Sequence, residues 1–242
     1  MLPNVAIICA NYNYSNYIID GIKSIEEQTY KGAIRIYVVD DGSSDDSWEK
    51  LSDYKKNQTD KEKHYFTKIK NSGASVARNV AIAAAWDWAD IFGILDADDS
   101  YFPEKVEKLV SKLVEHEEVG VAYADYENVS PNFTKGEFKT SYDKATLMQR
   151  CIVHSNSLIK KEYLDQVRLP DGEIFDRKLH GPASEEFIGC VEDYDLWLRL
   201  SNVCIMTHVP ECLGIANQHE NNQSKKMTPE IFHQQAKILG SR

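Results

Sequence analysis

Asp96, Asp98 and Asp99 place three carboxylates within four positions, in the stretch Leu95-Asp96-Ala97-Asp98-Asp99. They directly follow the apolar run Ile91-Phe92-Gly93-Ile94-Leu95. A run of that length without helical periodicity reads as a strand buried on both faces. The acids therefore sit where a buried strand ends. Negative charge crowded there is costly unless a cation or strong donors lie among the acids. Hard divalent cations such as Mg²⁺ or Mn²⁺ take oxygen ligands of this kind and often bridge to a substrate's phosphates. An acidic turn capping the helix that begins near Pro103 would account for one Asp, whereas three at a strand terminus favour a metal site.

The elements that must position these acids alternate in type. Val5 to Ala10, Ile34 to Val39, His64 to Ile69, Ile91 to Leu95 and Val119 to Tyr123 read as strands. Helices are expected over Ser15 to Gln28, Ser44 to Tyr54, Ala74 to Trp88 and Pro103 to His116, with Ser15 as an N-cap and Pro103 in a first turn. Strands spaced by helices imply right-handed crossovers and a mostly parallel α/β sheet covered on both sides. Ligands of such sheets bind beyond the carboxyl ends of the strands. Three polar clusters fall there: Asn11-Tyr12-Asn13, Asp40-Asp41-Gly42-Ser43 and Asp96-Ala97-Asp98-Asp99. No GxGxxG follows the first strand and no P-loop is present, which argues against a dinucleotide cofactor or a P-loop NTPase.

After about residue 125 the rhythm breaks. Residues 126–142 are expected to form a hairpin or loop, and 168–190 a long irregular segment of the kind that is usually functional. Val191 to Leu200 reads as an amphipathic helix, Val203 to Val209 and Cys212 to Ala216 as short strands, and the tail from Thr228 as a surface helix.

With 242 residues, 42% hydrophobic and 27% charged, the chain is an ordinary globular protein. Its net charge of −10 argues against nonspecific nucleic-acid binding and against adhesion to anionic membranes. Five cysteines without a CxxC pair suggest free thiols in a reducing, cytoplasmic setting. The N-terminus has no positive n-region, so no signal peptide is expected. No apolar run approaches the roughly 20 residues that span a bilayer.

Taken in order, the motifs carry a resemblance. They are Asn11-Tyr12-Asn13; Ser24-Ile25-Glu26-Glu27-Gln28-Thr29-Tyr30; Val38 to Asp45 around Asp40-Asp41-Gly42-Ser43; Asn71-Ser72-Gly73-Ala74 with Ala77-Arg78-Asn79; Leu95 to Asp99; and Glu192-Asp193-Tyr194-Asp195-Leu196-Trp197. Each alone is weak, but together they resemble the family 2 glycosyltransferases with the GT-A fold, over nearly the whole chain. The resemblance implies an inverting, metal-dependent enzyme that moves one sugar from a UDP-sugar to a hydroxyl of a glycan, lipid-linked or other acceptor, as in polysaccharide biosynthesis. It also implies one GT-A domain, with residues 1–125 as the donor-binding half and 126–242 as the acceptor-binding and catalytic-base half. The cofactor would be Mn²⁺ or Mg²⁺. The enzyme would be cytoplasmic, reaching the membrane surface only through its acceptor.

Residue by residue, Asp98 matches the second acid of the family's DxD and would ligate the metal. Asp96 matches the first acid and would touch the ribose, or the metal through water, while Asp99 would orient the donor sugar or a ligand water. Asp41 matches an acid that accepts a hydrogen bond from the uracil ring, a role that suits a ring N–H better than cytosine's bare nitrogen. An Asx-turn would account for Asp40. Tyr12 would stack on the base, Ala10 and Asn11 would lie against the nucleotide, and Arg78 would pair with a phosphate or form a structural salt bridge. Asp193 matches the catalytic acid-pair position and would act as general base at a helix start. Glu192 and Asp195 are less favoured as base, and Glu192 would lie against the donor sugar or acceptor. Trp197 would anchor that helix or floor an acceptor pocket. His154, in His154-Ser155-Asn156-Ser157, would meet donor sugar or acceptor, and His180-Gly181 would belong to a lid.

His219 resembles part of a C-terminal segment that folds over the donor phosphates, as a second metal ligand or a phosphate contact. Two departures matter. Asn217 stands where the family often has Arg, leaving Lys225 or Lys226 as substitutes, and QxxRW is absent, which implies single rather than processive transfer. The rival functions are a non-catalytic sugar-nucleotide-binding module, which would need no base, and a sugar-phosphate nucleotidyltransferase, which would need a Gly-rich basic loop after the first strand.

Overall fold

The computed structural model describes residues 1–130, 132–137, 139–179, 191–220 and 222. His180-Gly181, Lys225, Lys226 and the tail from Thr228 lie outside the described residues. The parallel part of the sheet is built around β1 (Val5–Asn11), flanked by β2 (Ile34–Asp40) and β4 (Ile91–Ile94). Outside β2 lies β3 (His64–Lys68), also parallel. Beyond β4 the sheet becomes mixed. There β8 (Leu158–Lys160) runs antiparallel to both β4 and β6 (Val119–Ser130), and β9 (Ile205–Asn217) lies parallel to β6. The edge is closed by β5 (Asp99–Tyr101) against β9, and β7 (Phe133–Glu137) forms a hairpin with β6. The order is β3-β2-β1-β4-β8-β6-β9-β5.

Strand alternation divides the core in two. Val5, Ile7 and Cys9 of β1 pack with α1 (Ile18–Glu26), α2 (Ser47–Lys56) and α4 (Lys105–Glu115). Ala6 and Ile8 pack with α3 (Ala74–Ala85), α5 (Lys144–Leu147), α6 (Lys161–Gln166) and α7 (Glu192–Leu200). Every residue of β4 is buried, as its unbroken apolar run requires. A Cβ at Gly93 would lie 2.5 Å from Ile7 Cδ1 and 2.6 Å from Leu158 Cδ2, so glycine lets β1 and β8 side chains meet across β4.

Several extents differ from the sequence expectation. Ser15 caps no helix: its N–H donates to Asp45 Oδ2, and α1 starts three residues later without a side-chain cap. Beyond Tyr123, β6 continues because β7 pairs with its second half, from Tyr126↔Glu137 to Ser130↔Phe133. The two short strands expected after residue 203 are one strand. Val209 pairs with Ala124 and Cys212 with Asp125, so Pro210 and Glu211 bulge out of register, where a proline without an N–H can sit. In the described part of the irregular segment, Ile174, Phe175 and Leu179 enter the core, and Asn79 pins the backbone of Ile174 and Phe175.

Gly93→Ala is expected to destabilise the protein by about 1–3 kcal/mol through overpacking, read as a lower urea midpoint at unchanged slope.

Candidate active site

The parallel register brings the first three polar clusters to one edge. Asn11 lies opposite Asp40, and Leu95 N–H donates to Ile8 O at 2.9 Å, which starts the acidic turn beside them. The first two clusters are tied directly. Asn11 Nδ2 donates to Asp40 Oδ2 (2.8 Å) and Ser43 Oγ (3.2 Å). Asn13, at φ 61°, accepts Ser44 N–H on its side-chain oxygen at 2.8 Å, and asparagine tolerates that left-handed conformation. Tyr12, half-buried, stands at the crest of this turn. Asp40 accepts Ser43 N–H, three residues on, at 3.0 Å, one residue beyond the reach of the Asx-turn expected of it. Asp41 is held separately, accepting from Ser72 N–H (2.7 Å) and Gly73 N–H (2.8 Å). Asn71 Nδ2 donates to Asp41 O at 3.0 Å, which sets an amide beside the carboxylate. Gly42 has φ +73°, and a Cβ there would come 2.7 Å from Asn71 N, so this approach needs glycine.

Each acid of the third cluster has its own partners. Asp96 Oδ1 accepts from Arg78 Nη2 at 2.9 Å, and Ser155 Oγ donates to its other oxygen. Asp99 is buried, accepting from Asn156 Nδ2 (2.6 Å) and Asn217 N–H (3.2 Å). Asp98 Oδ2 lies 3.0 Å from His219 Nε2 and 3.1 Å from Asn222 Nδ2. The His219 ring stacks on Tyr17 at 4.8 Å and meets the edge of Tyr14 at 5.6 Å. Burial and the neighbouring Asp96 push the Asp98 carboxyl up to about 6. Asp99 is driven well above the usual carboxylate range by burial, Asp96 and Asp98. Lys105, buried on α4, lies 3.9 Å from the centre of the Tyr101 ring. Burial lowers its amine to about 7, against the opposing pull of Asp99 and Asp96.

Arg78 joins this cluster to α7. Its guanidinium bridges Asp96 and Glu192, both within ion-pair distance. Glu192 is thus a buried partner of Arg78 rather than a side chain open to donor sugar or acceptor. Asp193, next in the first turn of α7, accepts its own neighbour's N–H at 2.7 Å. Its carboxyl is raised to about 7, first by burial and then by Glu192 and Asp96, with Arg78 opposing. Asp195 is bound by Arg199, which also donates to the carbonyls of Val167 and Ile174.

Two further expectations, those for Asn11 and Trp197, meet the geometry differently. Asn11 is wholly buried, so its amide braces the Asp40 turn and presents no surface to a nucleotide. Trp197 is 0% exposed; it anchors α7 and has no face on which an acceptor sugar could stack. His154 accepts Asn156 N–H on Nδ1 at 3.1 Å and packs 4.1 Å from Tyr126, while its loop neighbours turn to the acids. Burial, then Lys139 and Lys105, keep His154 neutral near pH 7, its pKa lying well below the usual imidazole value. The hydrogen bonds that Asn71, Ser155, Asn156, Asn217 and Asn222 make to the acids were not anticipated, although Asn71 stands in a motif and Ser155 and Asn156 in the segment named with His154. Their one shared sign in the sequence is small polar side chains in or next to the motifs.

Among the described residues, no three His, Cys, Asp or Glu side chains converge to hold a metal unaided. A cavity of about 370 Å³ lined by Glu26, Arg35, Glu62 and Trp88, among others, shares no residue with these clusters.

A sheet of this order, with acids at the carboxyl end of β4 and a second acidic pair heading α7, defines a GT-A glycosyltransferase fold. The family model described as Glycosyl transferase family 2 matches residues 6–168, and the chain belongs to that family. An uncharacterized glycosyltransferase of Nostoc sp. is 34% identical over 119 residues, which is 49% of this chain and 35% of the relative. The chain spans about a third to two thirds of the length of the first curated relatives it matches. Among solved structures, S. aureus TarS 1-349 in complex with UDP-GlcNAc superposes with a TM-score of 0.75 at 18% identity, over 98% of this chain and 65% of that one. The mannosyltransferase PcManGT from Pyrobaculum calidifontis, in complex with GDP-Man and Mn²⁺, gives 0.65 at 17% identity, over 93% and 60%.

Arg78→Met would leave Glu192 buried without its guanidinium partner. A loss of about 3–5 kcal/mol in unfolding free energy is expected, measured by urea denaturation.

Proposed function

We propose that the chain transfers a single sugar, with inversion, from a UDP-sugar to a hydroxyl of a glycan or lipid-linked acceptor, with Mn²⁺ or Mg²⁺ at Asp98. The observation that carries the reading is the Asp98–His219 pair on the same sheet edge as Tyr12 and Asp41. The donor set fits the ion. A hard cation needs one or two protein ligands when diphosphate oxygens and water complete its shell. One carboxylate and one imidazole supply that number. PcManGT, of the same fold, is seen with Mn²⁺ and a nucleotide sugar, and TarS with UDP-GlcNAc.

Tyr12 would stack on the base, with Ala10 alongside it. The Asp41 carboxylate would accept the uracil N3–H, and the Asn71 amide beside it offers a donor for a uracil carbonyl. Asp96, clamped by Arg78, would face the ribose. A bound divalent ion would neutralise the charge that develops on the departing diphosphate. On the acceptor side, Asp193 would take the proton of the attacking hydroxyl. The acceptor oxygen then bonds to the anomeric carbon as the bond to the β-phosphate oxygen breaks, and UDP leaves with that electron pair. A carboxyl poised near neutrality suits this transfer. Asp99, its carboxylate fixed by Asn156 Nδ2 and Asn217 N–H, would orient the donor sugar or a ligand water. His154, neutral and beside Tyr126, would offer its Nε2–H to donor sugar or acceptor.

Titration of UDP with and without Mn²⁺ tests the metal assignment. Mn²⁺ is expected to tighten binding, and Asp98→Asn to abolish that gain with metal-free UDP binding intact. UDP affinity indifferent to Mn²⁺ would sink the assignment. Asp193→Asn is expected to cut transfer by about 100-fold or more while UDP binding persists. Retained turnover would remove Asp193 as base. UDP binding by the parent chain with no transfer to any acceptor would point to a binding module. Because the base acts ionised and its carboxyl lies near 7, kcat should fall as pH drops below about 7 and level off above it. A flat profile from pH 5.5 to 8 would contradict that assignment.

A further inference from the structure

The loop before β8 supplies the donors that meet two of the three clustered acids. The antiparallel register of β4 and β8 sets this up: Ile91 pairs with Lys160, Phe92 with Ile159 and Gly93 with Leu158. Continued by two and three residues, that register brings Asn156 and Ser155 opposite Leu95 and Asp96. Asn156 is 4% exposed. Its Oδ1 accepts Asp96 N–H at 2.9 Å and its Nδ2 donates to Asp99 Oδ2 at 2.6 Å. Ser155 Oγ donates to the Asp96 oxygen that Arg78 does not take. The loop is itself braced, with Asn156 N–H on His154 Nδ1 and Ile94 N–H on Ser157 O at 3.2 Å.

We propose that Asn156, seconded by Ser155, is a positioning residue for the metal ligand Asp98, a reading that rests on the function proposed above. By binding Asp96 and Asp99 to the protein, it leaves Asp98, between them in sequence, as the acid turned toward His219 and the ion. An amide suits this place. A lysine or arginine there would pair with the acids and compete with the cation, and a carboxylate would add a fourth negative charge. Asparagine supplies one acceptor and one donor without net charge. Its orientation is dictated, because the flipped amide would set N–H against N–H and oxygen against carboxylate. Asn156 would touch neither donor nor ion.

The test compares parent, Asn156→Ala, Asn156→Asp and Ser155→Ala for Mn²⁺ affinity in the presence of UDP, UDP affinity without metal, and Tm. Asn156→Ala should weaken Mn²⁺ binding about tenfold or more, the range seen for lost outer-shell partners, with metal-free UDP affinity falling by less because Asp96 keeps its Arg78 partner. Ser155→Ala should shift Mn²⁺ affinity the same way by less. Asn156→Asp keeps the shape and the acceptor for Asp96 N–H but sets oxygen against Asp99. It should therefore weaken Mn²⁺ binding at pH 7.5, because repulsion at Asp99 displaces the turn that presents Asp98. Unchanged Mn²⁺ affinity in a folded Asn156→Ala, or a parallel fall in metal-free UDP affinity, would overturn the proposal. Should Asn156→Ala not fold, the same criterion applies to Ser155→Ala. A parent chain whose UDP binding ignores Mn²⁺ would overturn the metal reading itself, a result read on the unaltered protein and so separate from the variants.

Discussion

Arg78 is a buried guanidinium between two carboxylates, Asp96 and Glu192, that come from the first and second halves of the chain. A buried ion pair gives back little net stability, yet removing one partner strands the others in a low-dielectric site. That asymmetry constrains everything around it. The acidic turn after β4 and the head of α7 stay together only while α3 carries this side chain between them. It can do so because α3 presents Ala77 and Ala81 to β1 and β2, which brings its backbone close to the sheet. Phe175 packs against the guanidinium, 5.5 Å from ring centre to Cζ, and shields it from solvent on that side.

Around this pair the edge of the sheet is assembled from mutual satisfaction of polar groups rather than from apolar contact. Asn11 and Asn13 bind the Asp40 turn, backbone N–H groups hold Asp41, and amides and a hydroxyl meet Asp96, Asp98 and Asp99. Neutral donors dominate. They let several carboxylates coexist without cancelling the charge that would draw a cation. The raised carboxyls of Asp98 and Asp193 follow from burial first and then from this crowding.

Much of this was legible before any coordinates. The apolar run ending in acids marked a buried strand terminus, and the shared position of the Asn11, Asp40 and Asp96 clusters after three strands predicted one edge. What misled was reading side chains from motif position alone. Asn11 and Trp197 sit inside matching motifs, but alternation along β1 and the inward face of α7 bury both. Ser15 has the right chemistry for a cap, and a tertiary acceptor, Asp45, claims its N–H instead. The His154 loop was noticed for its polar residues, but the hydrogen bonds of Ser155 and Asn156 to the acidic turn could not be read, because they depend on β8 inserting antiparallel between β4 and β6.

Local pattern by itself determined the strand–helix alternation, the buried β4, the tight turn after Asp40 and the family motifs, since each depends on neighbours a few residues apart. Only the tertiary structure decided which acid is clamped, which is sealed and which is left beside an imidazole. Those outcomes turn on hydrogen bonds from Arg78, Ser155, Asn156, Asn217, His219 and Asn222, which lie far from one another in the chain. Their meeting is set by sheet order and register, and no spacing rule along the sequence encodes either.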